Sequence, residues 1–193
     1  MQMNAHRLRT LWTLLCGLVL AVAVTPNLQA LTAASDEDPQ PLVAESINEL
    51  LVRLRDKSEE IRADQSVAYA ISDELINPHI DFPRIARLVI GKYWKSASDE
   101  QRARLIKEIR ELLVRSYVTA MTSYIDDLVA DGNMIEFLPS RYKPGDKKAS
   151  VRANIALGGR QTAQVDYQLY FRDEWKIYDI RIEGISLAIT YRP

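Results

Sequence analysis

The sequence predicts an α+β fold, with N-terminal helices packed on one face of a four-stranded antiparallel meander sheet. Apolar residues recur at three- and four-residue steps from residue 47 to residue 124, which is the period of a helix. From residue 134 onwards they alternate with polar residues, which is the period of a strand. Helices followed by strands, in a chain of 193 residues that is 47% hydrophobic, indicate one globular α+β domain.

The first half of the chain predicts four helices, and the second and third end at clear stop signals. Pro78 ends a second helix over residues 63–75, and Gly91 ends a third helix that begins after Asp81. The first helix is indicated by four apolar residues that lie on one face: Ile47, Leu50, Leu51 and Leu54.

The fourth predicted helix is the longest, and its start is the best marked. Ser98 and Gln101 have the spacing of a capping box, in which the serine hydroxyl and the glutamine carbonyl accept from each other's backbone amides. The Asp-Gly-Asn sequence at residues 131–133 ends this helix.

Three strands are predicted between residues 134 and 171. A short strand starts at residue 134, a second covers residues 151–157, and a third covers residues 165–171. The glycine pair at residues 158–159 predicts a hairpin, so the second and third strands should lie side by side.

A fourth and last strand follows the turn at residues 172–174. Strict alternation places Tyr178, Ile180 and Ile182 on one face of this strand, opposite Asp179. Gly184 interrupts the pattern, and we expect residues 185–189 to resume the strand.

The first thirty residues have the layout of a secretory signal peptide. Arg7 and Arg9 precede an apolar run of fourteen residues, and the small residue Ala30 offers a cleavage point. Fourteen residues are few for a membrane span. We predict that residues 1–30 are removed, that residues 31–41 form a flexible leader, and that residues 42–193 form a single domain.

The sequence contains no set of residues that points to catalysis, a metal or a cofactor. Cys16, the only cysteine, lies in the predicted signal peptide, so the mature chain would have no disulfide and no thiolate metal site. His79 would be its only histidine, whereas a zinc site needs three or four such ligands. We therefore predict no catalytic residue, no metal and no cofactor.

The charge balance argues against nucleic acid as a partner. Residues 1–30 contain two basic residues and no acidic one, so their removal leaves 23 basic against 26 acidic residues. The net charge near −3 leaves no basic excess for binding a polyanion.

Two stretches of the chain resemble the MlaC family, also called the toluene-tolerance auxiliary proteins. The first is "DFPRIARLVIGKYWKSASDEQRARLIKEIRELLVRSYVTAMTSY", residues 81–124. The second, residues 165–192, contains "WKIYDI", "EGISL" and "YR" in that order. The similarity covers roughly residues 40–192, and the paired signatures, in this order behind a signal peptide, are specific.

The resemblance implies a soluble periplasmic phospholipid carrier that is not an enzyme and has phospholipid as its cargo. It would shuttle lipid between an outer-membrane complex of lipoprotein and porin and an inner-membrane ABC transporter with MCE domains, and so maintain outer-membrane lipid asymmetry. Members of the family usually continue past "YR" with a further helix, whereas this chain ends at Pro193. We expect either a truncated sequence or a member that lacks that helix.

The resemblance also implies that the acyl tails lie in an apolar cavity between the helices and the sheet. Each buried methylene contributes about 0.8 kcal/mol, so a tail of roughly 16 carbons gains on the order of 13 kcal/mol by leaving water. A pocket of about 1,000 Å³ would enclose two tails. The predicted wall consists of the inward residues Phe82, Ile85, Leu88, Val89, Tyr93, Trp94, Tyr117, Met121, Val151, Ala153, Val165, Tyr167, Leu169, Ile180 and Ile182.

Two other functions stay open at this point. In one, the chain is a small-ligand binder or an enzyme with a cone-shaped α+β fold, in which His79 and Asp81 act together. A sheltered His79 beside a polar cleft would favour that function. In the other, the chain is an interaction module whose layers pack at normal interior density, with no void larger than a few water molecules.

Overall fold

The computed structural model describes residues 37–123, 125–126, 135–156 and 162–192. The predicted signal peptide, the predicted helix stop at residues 131–133 and the glycine pair at residues 158–159 lie outside these ranges. Among the helices that the structure describes, none is long and apolar enough to cross a membrane.

Five described helices precede the sheet, one more than the periodicity predicted. Two short 3₁₀ turns, Asn77–His79 and Gly91–Lys95, flank the fourth of these helices. The helices are α1 (Pro39–Asp56), α2 (Ser58–Ala63), α3 (Ser66–Leu75), α4 (Phe82–Ile90) and α5 (Asp99–Ser123).

The predicted capping box is confirmed, whereas two helix boundaries differ from the prediction. The Gln101 backbone amide donates to the Ser98 hydroxyl at 3.2 Å, and the Gln101 side-chain oxygen accepts from the Ser98 backbone amide at 2.8 Å. Helix α1 begins inside the predicted leader because the Asp38 carboxylate caps it. The helix predicted at residues 63–75 begins only at Ser66, because the Asp64 carboxylate accepts from the Ser66 amide and separates α3 from α2, a helix that was not predicted.

The sheet has five strands within the described residues, one more than predicted. Their order along the sheet is β1-β2-β3-β4-β5, and every neighbouring pair is antiparallel, which is the predicted meander. The strands are β1 (Ile135–Phe137), β2 (Lys148–Ala156), β3 (Thr162–Phe171), β4 (Trp175–Ile182) and β5 (Ile185–Ser186).

Strand β4 contains a bulge that the alternation of its sequence does not reveal. Gln168 of β3 pairs with Asp179, whereas the next residue, Leu169, pairs with Ile177. Tyr178 is therefore an extra residue on β4 with no partner of its own across the ladder.

The bulge changes which residues of β4 share a face. Ile177 and Ile180 both lie on the face that Leu169 and Tyr167 share, although three positions separate them in sequence. Tyr178 lies on the other face, where its ring contacts that of Tyr170 at 5.8 Å. The prediction that Tyr178 shares a face with Ile180 is therefore wrong.

The end of the chain is helical where a strand was predicted. Only Ile185 and Ser186 pair with β4, and Leu187–Thr190 forms a short helix, α6. The Ser186 hydroxyl starts this helix by accepting from the Ile189 amide at 3.2 Å. The cap that Ser186 provides outweighs the strand preference of the apolar residues that follow Ser186.

Helix α1 connects two parts of the core. Val43, in its first half, packs against the sheet residues Val151, Leu169 and Trp175. Its second half belongs to the helical core, a cluster formed by Leu50, Leu54, Ile61, Ala68, Ile71, Phe82, Val114, Val118 and Ile125. The first half of α1 is therefore the part that covers the sheet.

Candidate functional site

An apolar cavity of about 60 Å³ lies between α1, the turn that follows α3, and the sheet. Its wall is mostly aliphatic, with Ser46, His79 and Tyr167 as the exceptions, so it suits hydrocarbon and offers no cluster of charged groups to a polar substrate. The lining residues are Leu42, Val43, Ser46, Ile47, Ile76, His79, Ile80, Tyr167, Leu169, Ile177 and Ile180.

The sheet supplies the floor of this cavity through two adjacent strands. Tyr167 pairs with Ile180, and Leu169 pairs with Ile177, so the four side chains form a patch on one face. Leu169 is almost fully buried, with 1% of its surface exposed. Burial raises the pKa of Tyr167 to about 12, so its hydroxyl stays protonated at neutral pH.

The turn that forms the second wall is bonded to both layers. Ile80 forms a parallel bridge with Ile177 of β4, and the Asp81 amide donates to the Ile177 carbonyl at 2.8 Å. On the helical side, the Tyr117 hydroxyl donates to the Asn77 side-chain oxygen at 2.7 Å. Main-chain and side-chain bonds together fix this turn beside the sheet.

The arrangement does not form the catalytic pair of the enzyme hypothesis. The Asp81 carboxylate caps α4 by accepting from the Arg84 amide at 2.8 Å, and it also accepts from the Tyr170 hydroxyl. His79 is half-buried and lines the apolar cavity, whereas Asp81 lines a separate polar cleft with Tyr170 and Lys176.

The position of His79 lowers its pKa below the ordinary value of 6.5. Burial is the largest cause, the nearby Lys176 charge acts in the same direction, and Glu174 partly opposes them. The unfolded chain therefore takes up a proton near pH 6.5, whereas the folded protein does so only at lower pH. The contribution of neutral His79 to the free energy of unfolding is therefore fully present above pH 6.5 and is lost as the pH falls below that value.

We expect His79→Gln to weaken the acid sensitivity of the protein. The free energy of unfolding should fall more steeply for the wild type than for the variant as the pH is lowered from 7 towards 5. Urea denaturation at several pH values measures both curves. Parallel curves would show that His79 does not titrate differently in the folded and unfolded states.

The cavity is far smaller than the expected 1,000 Å³, because Leu42, Val43 and Ile47 occupy the space above the sheet. An empty apolar void of about 400 Å³ would cost roughly 10 kcal/mol, at about 24 cal/mol per Å³. That is comparable to the whole stability of a typical domain. A volume of about 60 Å³ is room for a few water molecules, so cavity size alone equally fits an interaction module.

The cavity brings together only part of the predicted wall. Tyr167, Leu169 and Ile180 line it, and the buried Val151, Ala153 and Val165 lie beside them on the sheet. The predicted helical residues pack elsewhere, in the helical core or between α4, α5 and α6: Phe82, Ile85, Leu88, Val89, Trp94, Tyr117 and Met121. Their contact with a lipid stays a prediction.

Two of the predicted wall residues are exposed to solvent. Tyr93 is 55% exposed in the 3₁₀ turn after α4, and Ile182 is 40% exposed near the end of β4. Tyr93 falls outside the regular helix, so the helical period no longer determines its direction. Ile182 lies on the cavity face but at the margin of the sheet, where less structure covers it.

The sequence interpretation missed the wall that α1 supplies, namely Leu42, Val43 and Ile47. These residues continue the stripe of Leu50 and Leu54 towards the N-terminus, and that continuity was an available signal. Ile177 was missed because strict alternation placed it on the wrong face.

Within the described ranges, no group of three or more His, Cys, Asp or Glu residues could hold a metal ion. Among the polar residues that line the cavity, the Ser46 hydroxyl donates to the Leu42 carbonyl at 2.8 Å, within its own helix. The apolar cavity is therefore the feature of this structure on which a functional hypothesis can be built.

Comparison with known proteins gives three concordant findings. The family model described as MlaC protein matches residues 44–193. The Haemophilus influenzae protein named intermembrane phospholipid transport system binding protein MlaC is 25% identical over 193 residues, covering 96% of this chain and 83% of that protein. A phospholipid-binding protein from Ralstonia solanacearum, solved in complex with a phospholipid, shares the fold.

The structural likeness to the Ralstonia protein has a TM-score of 0.69 at 24% sequence identity. It covers 80% of this chain and 83% of that chain. The helices and the antiparallel sheet described above are therefore an architecture that recurs in a protein solved with a bound phospholipid.

Proposed function

The chain belongs to the MlaC family, and on that premise we propose that it is a periplasmic carrier of phospholipid. It shuttles lipid between an outer-membrane complex of lipoprotein and porin and an inner-membrane ABC transporter with MCE domains, and so helps to maintain outer-membrane lipid asymmetry. The lipid is cargo, and the proposal requires no cofactor and no catalytic step.

The observation that carries this proposal is the family match over residues 44–193, which includes almost all of the described chain. The relative from Haemophilus is named for phospholipid transport, and the Ralstonia structure contains a phospholipid. The volume of the cavity does not carry the proposal, since a filled core would have a void of that size.

The chemistry of the cavity suits the tails of such a cargo. Aliphatic side chains from α1, the turn at residues 76–80 and the sheet face one another, and the sheet floor contains no charged group. A methylene group that enters this space leaves water without displacing a hydrogen-bonded partner. We place the tails above Tyr167, Leu169 and Ile180, with the polar headgroup at the surface, where water solvates its charge.

The direct test is to purify the mature protein from bacterial cells, extract it with organic solvent and identify the extract by mass spectrometry. We expect co-purified phospholipid in about equimolar amount. An unrelated exported protein, purified from the same cells in the same way, measures lipid carried over from membranes. Repeated preparations with no more lipid than this control would count against the proposal.

A further inference from the structure

We propose that the first half of α1 is the movable wall of the lipid site, and that Trp175 holds it closed. This inference rests on the proposed carrier function. A cavity of about 60 Å³ cannot hold an acyl tail, since it is smaller than a dry cavity of about 150 Å³ that binds benzene. At least one wall must therefore move before a tail can enter.

The sheet wall is the least able to move. Tyr167, Leu169, Ile177 and Ile180 belong to β3 and β4, which pair along almost their whole length. Strand β2 supports β3 from its other side over nine residue pairs. Displacing this wall would break a row of backbone hydrogen bonds.

The turn at residues 76–80 is also held at several points. The bridge between Ile80 and Ile177 and the bond from the Asp81 amide attach it to the edge of β4. The Lys176 ammonium donates to the Pro78 carbonyl, and Tyr117 holds Asn77 from the helical side. This wall is therefore fixed to both layers of the domain.

The remaining wall, residues 37–47, which we call the gate segment, has a much weaker attachment. In the part of the chain that the structure describes, one hydrogen bond joins it to another element: the Trp175 indole N–H donates to the Glu37 carbonyl at 2.9 Å. Its other contacts with the sheet are apolar and involve Leu42, Val43 and Ile47, and Pro39 is also buried. Apolar contacts have no directional requirement, so methylene groups of a tail can replace them.

The second half of α1 provides a fixed end about which the gate segment can move. Leu50 and Leu54 are buried in the helical core, with 4% and 0% of their surfaces exposed. On the surface, the Arg53 guanidinium pairs with the Glu74 carboxylate of α3 at 2.7 Å. The segment can thus lift from the sheet, by tilting or by unwinding, while the helical core stays packed.

Two substitutions weaken the gate segment at different points, and a third is a matched control. Val43→Ala removes an apolar contact between α1 and the sheet, and Trp175→Phe removes the hydrogen bond to Glu37 while keeping an aromatic ring. Val114→Ala shortens another buried valine by the same amount in the helical core, away from the cavity wall.

The measurement follows a pyrene-labelled phosphatidylethanolamine as it moves in both directions between the mature protein and phosphatidylethanolamine–phosphatidylglycerol vesicles. We expect Val43→Ala and Trp175→Phe to raise the rate constants of uptake and of release together, each by about five-fold, the effect of losing one net hydrogen bond or a small apolar contact. A paired increase identifies an easier opening, because a change of affinity alone would alter the ratio of the two rate constants.

The gate proposal is supported if the two variants accelerate exchange and Val114→Ala exchanges at the wild-type rate. It is overturned if neither variant changes the rates, or if Val114→Ala accelerates exchange equally, because release would then follow general loosening of the fold. Wild-type protein that takes up no labelled lipid would overturn the proposed function itself, and the gate with it. The two failures are therefore distinguishable.

Discussion

Leu169→Glu is expected to abolish phospholipid loading, leaving less than about 1% of the lipid that the wild type carries. Leu169 is 1% exposed and lies on the floor of the cavity, paired with Ile177 across the ladder. An ionised carboxylate there would lose its water without gaining a partner, which costs several kcal/mol. The ionised carboxylate would hold water in the cavity, and that water would take the place of hydrocarbon.

Ser150→Glu is the matched control for this variant. It introduces the same acidic side chain at an exposed position of the neighbouring strand β2, on the other face of the sheet. We expect this protein to load lipid as the wild type does. Loading is measured by solvent extraction and mass spectrometry after mixing each protein with phospholipid vesicles.

Leu169→Glu will also lower the free energy of unfolding, by roughly 3–5 kcal/mol. Ile180→Glu provides a second variant for this reason, since Ile180 lines the same cavity but is only half-buried. Circular dichroism establishes which proteins are folded. A folded variant of either kind that still carries lipid would show that the floor of this cavity is not where the tails lie.

Asp179→Ala is expected to lower the free energy of unfolding by roughly 3 kcal/mol. Asp179 is 6% exposed, and one of its oxygens accepts from the Ser186 hydroxyl at 2.9 Å and from the Ala188 amide at 3.3 Å. Alanine would leave both buried donors without this acceptor. The same change removes the partner of Arg181, whose guanidinium lies 3.6 Å from the carboxylate.

The loss should be concentrated at the C-terminal end of the described chain. Ala188 of α6 packs against Ile85, Ala86 and Val89 of α4. Release of α6 would therefore also expose α4 to solvent. We expect faster amide hydrogen exchange in residues 186–190 in addition to a lower urea midpoint.

Two further variants test whether the acceptor itself matters. Asp179→Asn keeps one side-chain oxygen and should lose about half as much stability, whereas Asp173→Ala changes an exposed acid in a turn and should stay within about 0.5 kcal/mol of the wild type. Equal stability of Asp179→Ala and Asp173→Ala would show that Asp179 does not hold the C-terminal helix in place.

The elements that could be predicted from sequence are those whose signals are local. The capping box at Ser98 and the cap-to-glycine span from Asp81 to Gly91 each depend on residues within one or two helical turns. The same holds for the strand order, because each strand of the meander pairs with the next in sequence. The family signatures are likewise contiguous stretches.

The elements that could not be predicted depend on a choice between two local preferences or on distant contacts. Residues 187–190 contain strand-forming side chains, yet the Ser186 cap and the contact of Ala188 with α4 make them helical. The bulge at Tyr178 arises from pairing with β3, which is not visible in β4 alone.

The cavity wall was predicted only in part for the same reason. Which helix lies over the sheet is decided by tertiary packing, and both α1 and α4 have apolar faces that could serve. The sequence interpretation chose residues of α4 and α5, whereas Val43 of α1 occupies that place. The sheet residues were found more often because the face of a strand is constrained by its neighbours.

The unpaired position of Tyr178 determines which side chains of β4 face the cavity. If Tyr178 paired with Gln168 and the pairing upstream were kept, alternation would continue unbroken from Ile177. Asp179 would then turn towards the hydrocarbon side, and Ile180 would lie beneath the C-terminal helix. The unpaired Tyr178 thus keeps the isoleucines of β4 on the hydrocarbon side of the sheet and Asp179 beside the C-terminal helix.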